Sequence, residues 1–297
     1  MHPCVPKTLY ALALLVPTIV MAQTPSTLEK VKSSGVIAVG YRESSIPFSY
    51  LDDKAQPTGF GWDVCSRIID EVKKTVGRSD LKVEPQVVTS TNRIPLLTNG
   101  TIDLECGSTT NNSDRQKQVS FATNYFYTGT RFLVKTGAPV KSIDDLKGKT
   151  VVSTAGTTNF RVIRTLNAEK KLNIDLLAGK DHAESALLVQ SDRALAFAMD
   201  DVLLYGLKAS AANPNDFAVV GDAIQVEPYA IMLRKDDPDF KKLVDNTIAG
   251  LVKSGEFEKL YRKWFQSPIP PKGINLNIPI SKELQENLKN LSDKPAI

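Results

Sequence analysis

Apolar and polar positions along this chain switch repeatedly between two periods. Val36-Ile37-Ala38-Val39 is a continuous apolar run of strand length, whereas Val64, Ile68, Ile69 and Val72 recur at helical spacing on one face that ends near Gly77. Val83 to Val88 predicts a second strand; Pro85 within it has no N–H for a ladder, which predicts an edge or irregular position. A short helix over Asn92 to Leu97 closes at Asn99-Gly100, and Ile102-Asp103-Leu104 opens a third strand. Strand, helix, strand, helix, strand is the pattern of a parallel sheet with helices on its faces.

A second series follows. Arg131 to Val134, Thr150 to Ser153, Ile174 to Leu177, Ala194 to Met199 and Phe217 to Val220 predict strands; Asn159 to Lys170, Ala183 to Gln190 and Val202 to Ala209 predict helices. The chain then resumes with Tyr229 to Leu233 as one apolar strand. Asp237-Pro238 fits an N-cap with proline at the first helical position, ahead of Phe240, Leu243, Val244, Ile248 and Leu251. Glu256 to Phe265 predicts another helix before a proline-interrupted tail. No Gly- or Ser-rich linker separates the two series, which favours two lobes joined by short hinge strands. No residue-level repeat relates them, so any symmetry is architectural.

The beginning of the chain reads as a processing signal. His2 and Lys7 give a weakly positive start, Leu9 to Val20 is nearly continuous apolar sequence, and Val20-Met21-Ala22 precedes Gln23. The apolar stretch is interrupted by Pro17 and falls short of the ~20 residues of a membrane span. We expect a cleaved signal peptide over residues 1–22, with cleavage after Ala22, and an exported mature chain. Cys65 and Cys106 then remain, an even pair in an oxidising compartment, so we expect a bridge between them; two buried free thiols are the alternative.

Composition adds exclusions. The 297 residues, 42% hydrophobic and 24% charged, suit about two globular domains. The formal net charge of +4 comes from dispersed residues, giving no support to nucleic-acid binding. The mature chain keeps a single histidine, His182, with no CxxC spacing and no GxSxG, Walker loop or GxGxxG. No metal site, nucleotide cofactor or catalytic triad is expected.

What stands out is the polar, donor-rich sequence placed where strands end. Arg42-Glu43-Ser44-Ser45 follows the first strand, Ser90-Thr91-Asn92-Arg93 the second, and Gly107-Ser108-Thr109-Thr110 the third, with Asp114-Arg115 soon after. In the second series Ala155-Gly156-Thr157-Thr158 opens a helix, so its N–H groups and hydroxyls can hold an anion. Lys180-Asp181-His182 opens another, and Asp200-Asp201 follows the most apolar strand. Open sheets bind ligands at the carboxyl ends of their strands. Singly, each arginine reads as a surface charge; their joint placement is what singles them out.

These segments, with Arg42 to Tyr50, Asn92 to Leu97, Glu105 to Asn112, Asp114 to Gln118, Met199-Asp200-Asp201 and Met232 to Pro238, resemble the periplasmic glutamate/aspartate-binding proteins of ABC transporters. The resemblance covers essentially the whole mature chain. It implies an α/β, two-lobed periplasmic binding protein fold, each lobe a mainly parallel sheet flanked by helices: 23–128 and 225–297 in one lobe, 129–224 in the other. It further implies that Arg115 grips the ligand α-carboxylate with Thr110, Thr157 and Thr158, that Asp200 and Ser108 accept the ammonium, and that Arg42, Ser90, Arg93 and His182 meet the side-chain carboxylate. Ala230 departs from the glycine expected after the tyrosine. The implied partners are L-glutamate or L-aspartate and the membrane permease subunits of an ABC transporter, with a monomer as the expected state. A periplasmic enzyme on the same fold, similar to cyclohexadienyl dehydratase, and a soluble amino-acid sensor domain are the alternatives.

The chemistry of the residues agrees. A dicarboxylic amino acid carries two carboxylates and one ammonium, so its site needs two cationic poles around one anionic pole. Three arginines and one aspartate supply that, and the arginine fork suits a planar carboxylate.

Overall fold

A computed structural model of the chain describes residues 25–296. The signal peptide over 1–22, its cleavage after Ala22, and Cys4 lie outside the described residues.

The chain runs α1 (Thr27–Ser34), β1 (Val36–Tyr41), β2 (Ser44–Ser45), β3 (Ser49–Leu51), β4 (Pro57–Thr58), α2 (Phe60–Val76), β5 (Lys82–Val87), α3 (Arg93–Thr98), β6 (Leu104–Glu105), α4 (Ser113–Gln116) and β7 (Val119–Phe121). It continues through β8 (Phe126–Lys135), β9 (Thr150–Thr154), α5 (Thr158–Glu169), β10 (Asp175–Gly179), α6 (His182–Gln190), β11 (Ala196–Asp200), α7 (Asp201–Ser210), β12 (Phe217–Val220) and β13 (Val226–Tyr229). The last elements are β14 (Met232–Arg234), α8 (Pro238–Lys253), α9 (Glu256–Phe265) and α10 (Lys282–Asn290).

Two larger sheets form two lobes. The first has the order β5-β1-β6-β14-β7, the second β10-β9-β11-β8-β12 with β13 also paired to β8. In the first, only β14 runs against the other strands; in the second, only β8 does. Both sheets therefore follow one plan: the second, first and third strands of a series, then one antiparallel strand, then the fourth. The symmetry is architectural, as the absence of a sequence repeat implied. Pro85 sits on edge strand β5, where its missing N–H faces no neighbour.

The sequence reading takes Tyr229 to Leu233 as one strand, and the structure corrects it. Tyr229 ends β13, which pairs with β8, whereas Met232 begins β14, which pairs with β6 and β7. Ala230 and Ile231 carry the chain from one sheet to the other while fully buried, so an apolar run that suits a single strand here serves two. β8 starts earlier than its predicted Arg131, at Phe126, because its first residues pair with β13 along Gly129↔Val226 to Phe126↔Tyr229.

Helices complete the lobes. Val64, Ile68, Ile69 and Val72 of α2 are buried, and Gly77 closes that helix with φ of 70°. Asp237 caps α8 by accepting from the Phe240 N–H, with Pro238 at the first helical position. Under the crossing strands lies an aromatic cluster: Phe48 meets Phe126 at 4.9 Å and Tyr229 at 5.1 Å, and Phe126 stacks on Phe265 at 5.0 Å. The rings fix the β8 and β13 ends that join the lobes to a rigid core.

The expected bridge is present. Cys65 of α2 is bonded to Cys106, just past β6, with Cα atoms 6.1 Å apart across 41 positions of sequence. Closing a loop of that length is worth about 4 kcal/mol in a chain-entropy account. The bridge also ties α2 to the strand end that presents Ser108 and Thr110.

Candidate functional site

Every candidate residue lies at or just beyond a strand end. Arg42 follows β1, Ser90 and Arg93 follow β5, and Ser108 and Thr110 follow β6, with Arg115 in the short α4 beyond; Thr157 and Thr158 join β9 to α5, His182 opens α6, and Asp200 ends β11. Nine of these ten side chains line one narrow void of about 10 Å³ between the lobes, with Asn159 and Met199. Arg115 is the exception. Its Nη1 donates to the Thr110 carbonyl at 2.8 Å and its Nη2 to the Gly156 carbonyl at 3.2 Å, which places it behind the void, spanning both lobes.

At one end stand Arg42 and Arg93, 2% exposed each. Burial, then the proximity of Arg93, pushes the Arg42 pKa down to about 10, and burial lowers that of Arg93. Both stay cationic at neutral pH. Arg93 Nη1 donates to Thr109 Oγ1 at 2.5 Å, which donates to Glu105 Oε2 at 2.6 Å, so a buried carboxylate orients the fork through a hydroxyl. Arg42 Nη1, Ser90 Oγ and Arg93 Nε have no hydrogen-bond partner among the described residues. Buried donors of that kind are a cost unless an acceptor arrives.

His182 lines the void and also contacts Arg42. Its Nε2 lies 3.3 Å from Arg42 Nη2 and its Nδ1 2.9 Å from Thr154 Oγ1. A guanidinium can only donate, so Nε2 accepts and the proton sits on Nδ1. Burial, then Arg42 and Arg93, holds the ring pKa well below its usual value, which keeps it neutral. In this arrangement His182 positions Arg42. Thr157 also has a local duty: its hydroxyl caps α5, accepting from the Phe160 N–H and donating to the Thr154 carbonyl at 2.7 Å.

The anionic centre is Asp200, whose carboxylate accepts from Asn159 Nδ2 at 2.8 Å and from the Tyr229 hydroxyl. It makes no capping bond to α7. Asp201 instead accepts from the Val202 N–H and from Thr128 Oγ1, each at 2.7 Å. Burial, then the neighbouring Glu227 carboxylate, pushes the Asp200 pKa up to about 7. Ser108 Oγ is buried without a partner among the described residues.

The lobes meet closely here. Gly156 has φ of 75°, and a Cβ on it would lie 2.7 Å from the Ser90 carbonyl oxygen in the opposite lobe. Only glycine satisfies both the turn and the approach.

The pattern of matches to known proteins follows this geometry. The model of the bacterial extracellular solute-binding proteins, family 3, matches residues 37–267. The chain belongs to that family. The L-glutamate/L-aspartate-binding protein of Pseudomonas aeruginosa is 48% identical over 295 residues, 99% of this chain and 98% of its own. The glutamate/aspartate import solute-binding protein of Escherichia coli is 49% identical over 269 residues, 91% and 89% of the two chains. Among solved structures, a mutant of the ArgBP of T. maritima superposes with a TM-score of 0.73 at 26% identity, covering 80% of this chain and 99% of its own. The ancestral amino acid-binding protein AncCDT-1, a precursor of cyclohexadienyl dehydratase, gives 0.68 at 30% identity, covering 80% and 99%. Membership makes the chain a solute-binding protein of an extracellular family, not an enzyme. No described helix is long and apolar enough to cross a membrane, and no described cluster of His, Cys, Asp or Glu could hold a metal ion.

Within this solute-binding fold, sequence reasoning missed five side chains of the site: Glu105, Thr109, Asn159, Glu227 and Tyr229. Glu105 and Thr109 fall inside a quoted motif, and the alternation of sides along a strand end could have placed one of them inward. Glu227 had no such signal. It precedes the crossing residues by three positions, is fully buried, and accepts from Thr110 Oγ1 at 2.8 Å and Thr158 Oγ1 at 2.5 Å.

Proposed function

We propose that this protein captures L-glutamate or L-aspartate between its two lobes and delivers it to the membrane permease subunits of an ABC transporter. The observation that carries the reading is the buried set of three arginines around Asp200, contributed by strand ends of both sheets. Arg42, Arg93 and Arg115 supply the cationic poles that two carboxylates need, and Asp200 the anionic pole that one ammonium needs. The two relatives that are 48% and 49% identical, each named for glutamate and aspartate, support the same ligand.

In this reading Arg42, Ser90 and Arg93 receive the side-chain carboxylate, with His182 setting the Arg42 fork. Arg115, Thr110, Thr158 and the N–H groups opening α5 receive the α-carboxylate, and Asp200 with Ser108 receives the ammonium. The lobes are residues 23–128 with 225–297, and 129–224. Neither holds both ends of the ligand, so binding favours the closed arrangement through contacts that an open one lacks. The chain is exported to the periplasm, loses residues 1–22 and works as a monomer.

Mass spectrometry of the small molecules released when freshly purified protein is denatured tests the reading. Glutamate or aspartate is expected. A basic or uncharged amino acid, or a carboxylated ring compound, would contradict it.

A further inference from the structure

Hydroxyl protons are scarce at the α-carboxylate end. A threonine hydroxyl has one proton to donate. Thr110 gives its proton to Glu227 Oε2, Thr158 gives its proton to the same oxygen, and Thr157 spends its own on the Thr154 carbonyl. Glu227 sits on β13, the strand by which the chain leaves the second sheet, and its Oε1 has no partner among the described residues. One carboxylate oxygen thus joins Thr110, from beyond β6, to Thr158, the first residue of α5, beside Arg115 and Asp200.

We propose that Glu227 is a built-in surrogate for the ligand's α-carboxylate: it holds the Thr110 and Thr158 hydroxyls until an amino acid arrives, and the ligand must win them from it. The proposal rests on the reading of those two threonines as α-carboxylate donors. A negatively charged acceptor carrying two hydroxyls is a strong competitor, because hydrogen bonds to an ionised group are about twice as strong as neutral ones. Its competition sets the affinity below what the bare pocket would reach, which favours release to a transporter over retention.

A surrogate differs in sign from a permanent brace. Bonds made only in the free protein oppose binding, whereas bonds kept in the complex support it. Calorimetry of glutamate binding to the wild type, Glu227→Gln, Thr158→Val and the double variant separates the two. The surrogate predicts that Glu227→Gln binds glutamate about tenfold more tightly, about one hydrogen bond to a charged group, and that most of this gain vanishes in the Thr158→Val background. Weaker or unchanged binding by Glu227→Gln overturns the proposal, as does a gain that persists undiminished without the Thr158 hydroxyl, which would mark a charge effect alone. Should Glu227→Gln not fold, a crystal structure of the wild type with glutamate decides: Thr110 and Thr158 Oγ1 within about 3.2 Å of the α-carboxylate and released from Glu227 support it, and hydroxyls still on Glu227 overturn it. Absence of glutamate binding by the wild type is a distinct result that removes the ligand reading itself, and the surrogate with it.

Discussion

The two ends of the cleft are built from similar residues and prepared differently. Where Arg42, Ser90 and Arg93 converge, Arg42 Nη1, Ser90 Oγ and Arg93 Nε are buried with no partner among the described residues. Where Thr110, Arg115, Thr157 and Thr158 converge, the three hydroxyls and both terminal nitrogens of Arg115 are already engaged. A carboxylate arriving at the first end satisfies donors that otherwise cost about 1–3 kcal/mol each, whereas at the second it exchanges one set of partners for another. In the proposed reading, selectivity therefore resides in the end that receives the side-chain carboxylate. In the same reading the other end receives the α-carboxylate, common to all amino acids, and governs how the lobes come together.

The largest break of this comparison is Arg93→Ala. It removes a fork from the ligand and leaves Glu105 buried without its cation, a combination that costs about 3 kcal/mol or more. Glutamate affinity should fall at least about 100-fold and glutamine affinity much less, whereas Arg115→Ala should weaken both ligands by similar factors. Calorimetry with both ligands checks this; a parallel loss in Arg93→Ala would erase the distinction between the ends.

The centre between the ends is sharpened by pH. With the Asp200 pKa raised to about 7, its carboxyl is protonated in the free protein below that pH, and the ligand ammonium must expel the proton. Affinity should fall by about 25-fold between pH 7.5 and 5.5, with the proton that Asp200 releases to buffer on binding detectable by calorimetry in buffers of different ionisation enthalpy. Above pH 8 the dependence should flatten. The same shift bears on folding in the opposite sense. The unfolded carboxyl ionises near pH 4 while the folded one stays protonated, so this group costs stability progressively from about pH 4 to about 7 and no more beyond. Affinity unchanged from pH 5.5 to 7.5 would show that Asp200 does not meet the ammonium.

The smallest expected effect is that of Gly156→Ala. A positive φ and the Ser90 carbonyl 2.7 Å from the new Cβ burden the closed arrangement, while no donor side chain is removed. Glutamate and glutamine should both bind several-fold more weakly at an unchanged ratio, and small-angle scattering should show less compaction with saturating glutamate. A changed ratio would place Gly156 in selectivity instead of closure.

Much of this was legible in the sequence, for reasons that can be named. Strands and helices of the two series showed because buried parallel strands are apolar throughout and α2 repeats its apolar positions at helical spacing. Strand-end polar runs located nine of the side chains around the void, because the topology gathers those ends. The split of Tyr229 to Leu233 was hidden, since buried residues crossing between sheets look like those inside one. Also hidden was α10, whose Lys-Glu-Leu-Gln-Glu-Asn run has little apolar character and which is held by Asn287 donating to the Asn124 carbonyl at 2.6 Å. At the site, the location of nine of the ten residues was legible, and hydrogen bonds among them were not. His182 and Thr157 face the expected region, yet Arg42 and the α5 terminus claim their hydrogen bonds. Glu105 and Glu227 escaped because a buried carboxylate is recognised only by its partners, and those lie on other elements.

The most direct test of the two-ended account is a calorimetric comparison of glutamate and glutamine on the unmutated protein. The side-chain amide removes a charge and sets an NH2 donor against the guanidinium donors of Arg42 and Arg93, leaving buried groups unpaired. Glutamine should bind at least about tenfold more weakly than glutamate, one decade being about 1.4 kcal/mol. Equal affinities would contradict the assignment of Arg42, Ser90 and Arg93 to a side-chain carboxylate.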